Sequence, residues 1–133
     1  MSERLEKVKE NHKKGYNCAQ AVACAFCDQV GIDEETMFKL TEGFGLGMGG
    51  MNGVCGAVSA AILLNGLKNS TAHLERPDSK RDTHALSKMI TQEFIEKNKS
   101  IICKDLKGVE TKEVLRSCDG CIEDATKLIE KYL

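Results

Sequence analysis

The run from Gly43 to Ala57, Gly-Phe-Gly-Leu-Gly-Met-Gly-Gly-Met-Asn-Gly-Val-Cys-Gly-Ala, constrains this chain more than any other stretch. Six glycines fall between Gly43 and Gly53. Glycine inside a helix or strand costs about 0.5–1 kcal/mol relative to alanine, so no regular element is expected to run through here. Directly behind it, Ala57 to Leu64 is the most apolar stretch of the sequence. A glycine-rich loop thus feeds a buried helix, expected over Val54 to about Leu67, with Cys55 at the junction. Small residues at its start (Gly56, Ala57, Ser59, Ala60, Ala61) let neighbouring backbones approach closely, which makes it the central helix.

The rest reads as helix almost throughout. Pro77 is the only proline, and no alternating β-branched run reaches strand length. Ser2 caps and Gly15 ends a polar first helix whose buried stripe is Leu5 and Val8. Asn17 caps a second helix, Cys18 to about Val30, closed by Gly31. Asp33 caps a short one, Glu34 to about Leu40. After a polar connection from Asn69 to Pro77, Asp78 opens a long helix to about Lys99. Its inward stripe is Ala85, Leu86, Met89, Ile90, Phe94 and Ile95. Ser100 to Gly108 reads as non-helical, and Thr111 caps a short turn through Arg116. Cys118-Asp119-Gly120-Cys121 then leads into a final helix, Ile122 to Leu133, buried through Ile122, Ala125, Leu128 and Ile129. The expectation is an all-α, single-domain bundle of about six helices, residues 1–133, around the 54–67 helix.

Charge and composition narrow the function. The formal net charge is -1, there is no Trp, and aromatics make up 5%. Neither a basic field nor a base-stacking platform is available, so no nucleic-acid partner is expected. The N-terminus is charged from its first residues, and the longest apolar run is far too short to span a bilayer. No membrane association is expected, and the expected location is cytoplasmic.

Seven cysteines are many for 133 residues. In a reducing compartment they point to redox chemistry or metal binding rather than a static disulfide framework. Cys55 falls at a helix N-terminus, where thiol pKa values drop and the thiolate is both nucleophile and metal ligand. The glycine turn before it can form a nest of backbone N–H groups, with the Cys55 thiolate as the expected anion. Cys18, behind the Asn17 cap, and Cys118, just before the last helix, share that placement. Cys24 and Cys27 fall mid-helix, as core fillers do. Cys118-x-x-Cys121 at a helix start suits a redox dithiol. Gly45-x-Gly47-x-x-Gly50 matches a dinucleotide fingerprint, but no strand precedes it and no βαβ unit surrounds it. His12, His73 and His84 form no His-x-x-x-His or Glu-x-x-His pattern and read as surface residues.

The order of the cysteines resembles the C-GCAxxG-C-C family, small bacterial and archaeal proteins described as "putative redox-active" proteins. The matching segments are Tyr16-Asn17-Cys18-Ala19-Gln20-Ala21-Val22, Gly53-Val54-Cys55-Gly56-Ala57-Val58-Ser59-Ala60, Ile101-Ile102-Cys103-Lys104-Asp105-Leu106, and Cys118 ahead of the last helix. Ala60 stands where the family motif has its second glycine. The resemblance implies that Cys18, Cys55, Cys103 and Cys118 are the functional positions and that Cys24, Cys27 and Cys121 are extras. The family is also similar to a domain beside haem-binding segments in an unusual cytochrome. Here Ile122 follows Cys121, so there is no Cys-x-x-Cys-His for covalent haem.

Three functions follow. The first is thiol–disulfide chemistry by a thiol-dependent oxidoreductase, with Cys18, Cys55, Cys103 and Cys118 converging and Cys55 as the attacking thiolate. The second is a zinc or iron–sulfur module on the same four cysteines, with Cys121 as a substitute ligand. The third is a structural or ligand-binding helical protein with buried thiols. The expected partner is an unidentified redox protein or small molecule, and a homodimer is compatible with this reading.

Overall fold

The computed structural model describes residues 2–133. Among them every regular element is a helix, and the sole β feature is one isolated antiparallel bridge, Val54 to Ile102. The elements are α1 (Glu3–Lys13), α2 (Cys18–Ala23), α3 (Cys27–Val30), α4 (Glu34–Glu42), the single turn α5 (Gly45–Met48), α6 (Gly56–Asn69), α7 (Lys80–Asn98), α8 (Cys103–Lys107) and α9 (Cys118–Tyr132).

Helix α6 is central, packing against α2, α7 and α9. Its first half meets α2 through small side chains, and Ala57, Ala60 and Ala61 are fully buried opposite the equally buried Ala19, Val22 and Ala23. Close approach here leaves the bulky filling to the periphery, where Phe26, Met37, Leu64, Ile90, Phe94, Ile122 and Ile129 are buried. Helix α1 contributes Leu5 and Val8, as its pattern predicts, and packs on α2 and α9.

Three caps read from the sequence are in place. Ser2 Oγ accepts the Leu5 N–H at 3.1 Å, Asn17 Oδ1 the Gln20 N–H at 2.9 Å, and Asp33 Oδ2 the Thr36 N–H at 3.0 Å. The expected 18–30 helix is not continuous: Cys24–Phe26 form a 3₁₀ turn between α2 and α3. Its cause is non-local. Arg4, on α1, donates to the Ala25 carbonyl at 2.5 Å, taking an acceptor that an unbroken helix would use internally. The central helix starts at Gly56, two residues later than its expected boundary. Val54 is engaged in the bridge, and the Cys55 N–H donates to the Ile101 carbonyl at 2.6 Å.

Two further boundaries differ. The segment around Cys103, expected to be non-helical, forms α8. The last helix begins four residues early, at Cys118, because Ser117 Oγ accepts the Gly120 N–H at 3.0 Å and caps it. Helix α7 buries less than its pattern implies: Ile90 and Phe94 are inside, while Met89 and Ile95 are largely exposed. Thr111 caps a local turn, as its sequence context suggests, its hydroxyl accepting the Glu113 N–H at 3.2 Å.

No helix among the described residues is long and apolar enough to cross a membrane.

Candidate functional site

The glycine loop makes its own geometry. Leu46, Gly47 and Met48 have φ of 56°, 56° and 62°, so α5 is a left-handed turn. Left-handed backbone costs L-residues roughly 1–2 kcal/mol each, and the surroundings hold it in place. A Cβ on Gly47 would stand 2.4 Å from the Cys103 Cβ, and one on Gly45 would stand 2.5 Å from the Asn17 Cγ. These glycines are therefore points where the loop backs onto the cysteine-bearing segments, not a phosphate cradle.

The strand-like segment after the loop sets the next pair of positions. Cys103 N–H donates to the Gly53 carbonyl at 3.0 Å, and Lys104 N–H to the Met51 carbonyl at 2.9 Å. With the Cys55-to-Ile101 bond, these bring the start of α6 beside the start of α8. From α8 the chain folds back, Leu115 N–H donating to the Leu106 carbonyl at 2.9 Å, and delivers Cys118 to the same place. Cys18, Cys103 and Cys118 are each the first residue of a helix, and Cys55 is the N-cap residue of α6. The sequence shows three such helix starts; the fourth, at Cys103, was hidden in a five-residue helix.

These four cysteines and Cys121 line one cavity of about 190 Å³. Leu46 and Leu106 give it an apolar wall, and His12, Lys107 and Arg116 reach it with polar ends. Cys24 and Cys27 lie outside it. Seven free thiols are present, and five of them meet here. Among the described residues, no group of three or more His, Cys, Asp or Glu side chains is arranged to hold a metal ion.

The five thiols are not equivalent. Cys18 is acidified to about 6, first because the Cys118 thiol donates toward its sulfur, against the opposing effect of burial. The N–H groups of Leu46 and Ala19 and the positive charge of Lys107 act in the same direction. Cys55 is also lowered, chiefly by the Cys121 thiol and then by the Val58 and Ala57 N–H groups at the start of α6, again against burial. Cys118 and Cys121 shift the opposite way, raised first by the neighbouring Cys18 and Cys55 sulfurs and then by burial; the Cys121 Sγ also faces the Arg116 carbonyl at 4.0 Å. Burial also raises Cys103, with Lys107 opposing. Two unlike pairs result, Cys18–Cys118 and Cys55–Cys121, one sulfur lowered and the other raised in each.

The sequence reading is sharpened on two points. The left-handed turn presents the Leu46 N–H to Cys18 rather than to the expected anion, Cys55. Cys121, an extra by the family resemblance, lines the cavity beside Cys55; Cys118 and Cys121 are three residues apart in α9 and so share a helix face. His12, read as a surface residue, lines the cavity, with Nδ1 3.1 Å from Asp119 Oδ1.

Gly56 is where the site and the fold share an atom's worth of space. A Cβ there would lie 2.5 Å from Cys18 Sγ and 3.0 Å from the Phe44 carbonyl oxygen. Gly56→Ala is expected to lose about 2 kcal/mol by overpacking and to displace the Cys18 sulfur. Gly66→Ala in the same helix meets nothing within 4 Å and should gain about 0.5–1 kcal/mol. Urea unfolding of the two variants checks the opposite signs.

A family model described as "Putative redox-active protein (C_GCAxxG_C_C)" matches residues 16–132. No curated protein and no solved structure matches the chain.

Proposed function

We infer that this chain, which belongs to the C_GCAxxG_C_C family, performs thiol–disulfide exchange through two dithiols, Cys18–Cys118 and Cys55–Cys121. The observation that carries this reading is the convergence of these four sulfurs on one cavity, where Cys18 and Cys55 are lowered and Cys118 and Cys121 raised by their sulfur neighbours. Exchange requires a thiolate to attack, a second thiol to resolve, and access to both. The cavity supplies the access, and a location where thiols rest reduced, such as the cytoplasm, fits seven free cysteines.

In the reducing direction the Cys18 thiolate attacks one sulfur of a substrate disulfide. A mixed disulfide forms, and the first substrate sulfur leaves as a thiolate. Cys118 then gives up its proton and attacks the Cys18 sulfur; the second substrate thiolate leaves. The substrate disulfide becomes two thiols, and the Cys18–Cys118 dithiol becomes a disulfide. His12 is the proton acceptor in this reading. Its Nδ1 faces Asp119, which leaves Nε2 free to take the Cys118 proton and return it to a leaving thiolate. Sequence alone favours Cys55 as the attacking sulfur; Cys18 takes that role here because Cys118, then the Leu46 and Ala19 N–H groups and Lys107, bring it to about 6.

The test uses the reduced full chain, glutathione disulfide as oxidant, an acid quench and mass-spectrometric mapping. The expected products are Cys18–Cys118 and Cys55–Cys121 cross-links. Recovery of no link among these residues overturns the reading. So does a metal ion retained by the sulfurs through anaerobic purification, which would favour the zinc or iron–sulfur alternative. His12→Gln is expected to slow closure of the Cys18–Cys118 bond while leaving iodoacetamide alkylation of Cys18 unchanged, and rapid-quench kinetics separate the two.

A further inference from the structure

Two of the seven thiols lie outside the cavity. Cys24 and Cys27 bracket the 3₁₀ turn Cys24–Phe26, outside the thiol cavity. In an α-helix, residues three apart are offset around the axis; in a 3₁₀ turn, with three residues per turn, they stand one above the other. Cys24 opens this turn and Cys27 follows it, so the two are three residues apart on consecutive helical turns and fall on one side of the segment. Phe26, between them, departs further from helical geometry, with φ −118° and ψ 14°.

The turn is held from outside. Arg4 donates through Nη1 to the Ala25 carbonyl at 2.5 Å and makes a two-pronged contact with Asp28, at 2.5 and 2.6 Å. Its guanidinium also lies 5.1 Å from the centre of the Phe26 ring. One arginine on α1 therefore grips three consecutive features of the Cys24–Asp28 segment. Such a clamp is more than a pair of core fillers requires. Cys24 is buried at 4% exposure, whereas Cys27 is only partly covered. Burial, and then the nearby Cys27 sulfur, push the Cys24 thiol up to about 12.

We propose that Cys24 and Cys27 are a second, separate redox dithiol, which small-molecule disulfides oxidise to an intramolecular disulfide. Cys27, the accessible sulfur, attacks as a thiolate and releases one small thiol. Cys24 then displaces the second, forming the Cys24–Cys27 bond; its proton and that of Cys27 leave on the two small thiols. Burial and the carboxylates of Glu34, Asp28 and Asp33 disfavour ionisation of these sulfurs, so this pair reacts more slowly than the cavity thiols at neutral pH.

The proposal is independent of the cavity chemistry, and the experiment keeps them apart. The reduced full chain is incubated with glutathione disulfide at mildly alkaline pH, then denatured, alkylated and digested. The expected result is loss of both Cys24 and Cys27 as alkylatable thiols, with fragment ions placing the bond between them, in wild type and in Cys18→Ser alike. Arg4→Met should slow this closure at unchanged helicity. Full alkylation of Cys24 and Cys27, a persistent glutathione adduct on Cys27, or a Cys24–Cys18 link each overturns the proposal. The state of the Cys18–Cys118 pair in the same digest reports on the cavity reading separately.

Discussion

Cys18→Ser is expected to lower disulfide reduction by at least about a thousandfold, the scale on which removing an attacking nucleophile acts. The hydroxyl keeps the size of the side chain but is not ionised near neutral pH, so neither the Leu46 N–H nor Lys107 has a charge to stabilise. The companion measurement is pH-dependent alkylation of Cys18 in the wild type. Only the thiolate reacts, so the rate should be near its plateau at neutral pH and should fall as the medium becomes more acidic than about 6. Cys118→Ala removes the largest acidifying contact, and the midpoint should then move up toward the ordinary thiol value of 9.0. The same variant lacks its resolving sulfur and should accumulate the mixed disulfide. A Cys18→Ser protein with wild-type activity, or an alkylation midpoint that Cys118→Ala leaves in place, would remove Cys18 from the mechanism.

Asp124→Ala is expected to cost about 3 kcal/mol of stability, the lower end of what breaking a buried ion pair costs. Asp124 is 4% exposed on α9. Its carboxylate accepts from Lys97 Nζ at 2.6 Å, Asn98 Nδ2 at 3.1 Å, and Arg116 through Nε at 3.0 Å and Nη2 at 3.2 Å. The network ties α7 and the 109–117 segment to α9, and alanine would leave a half-buried guanidinium without its partner. The melting temperature should fall by roughly 10 °C for a chain of this size. Burial opposes ionisation of this carboxyl, but the donors outweigh it and hold the carboxyl below its ordinary value of 3.8. Its contribution is thus complete above the unfolded value and is lost as pH falls through the lower folded one. Acid titration of wild type against Asp124→Ala should show the difference in stability closing only in that window. A melting temperature within about 2 °C of wild type would show that the network contributes little.

What the sequence disclosed, and what it hid, divides by range. Caps at Ser2, Asn17 and Asp33 are local, a side chain meeting a backbone N–H three residues on, and all three were legible. So was the central helix, since an alanine-rich run after six glycines has few other uses. The four family cysteines were legible through their order, and all four line the cavity. The 3₁₀ break was hidden because nothing between Ala19 and Cys27 breaks a helix; its cause, Arg4, lies some twenty residues away. Helix α8 was hidden because five residues carry no periodicity. Cys121 stands outside the four family positions, so the resemblance makes it an extra, although its Cys-x-x-Cys spacing with Cys118 places it at the same helix start. The glycine loop was assigned to Cys55 by adjacency in the chain, yet its close approaches are to Asn17 and Cys103, which are contacts only the fold can make.

Cys118 and Cys121 sit on one helix, α9, while Cys18 opens α2 and Cys55 caps α6. This has a consequence for the order in which the protein is made. Cys18 and Cys55 leave the ribosome early and wait as unpartnered sulfurs while the intervening chain is synthesised. Neither pair exists until α9 has emerged and docked, so thiol reactivity arrives at the end of folding. A nascent chain halted before α9 would hold three of the four family cysteines, Cys18, Cys55 and Cys103, and neither cavity pair.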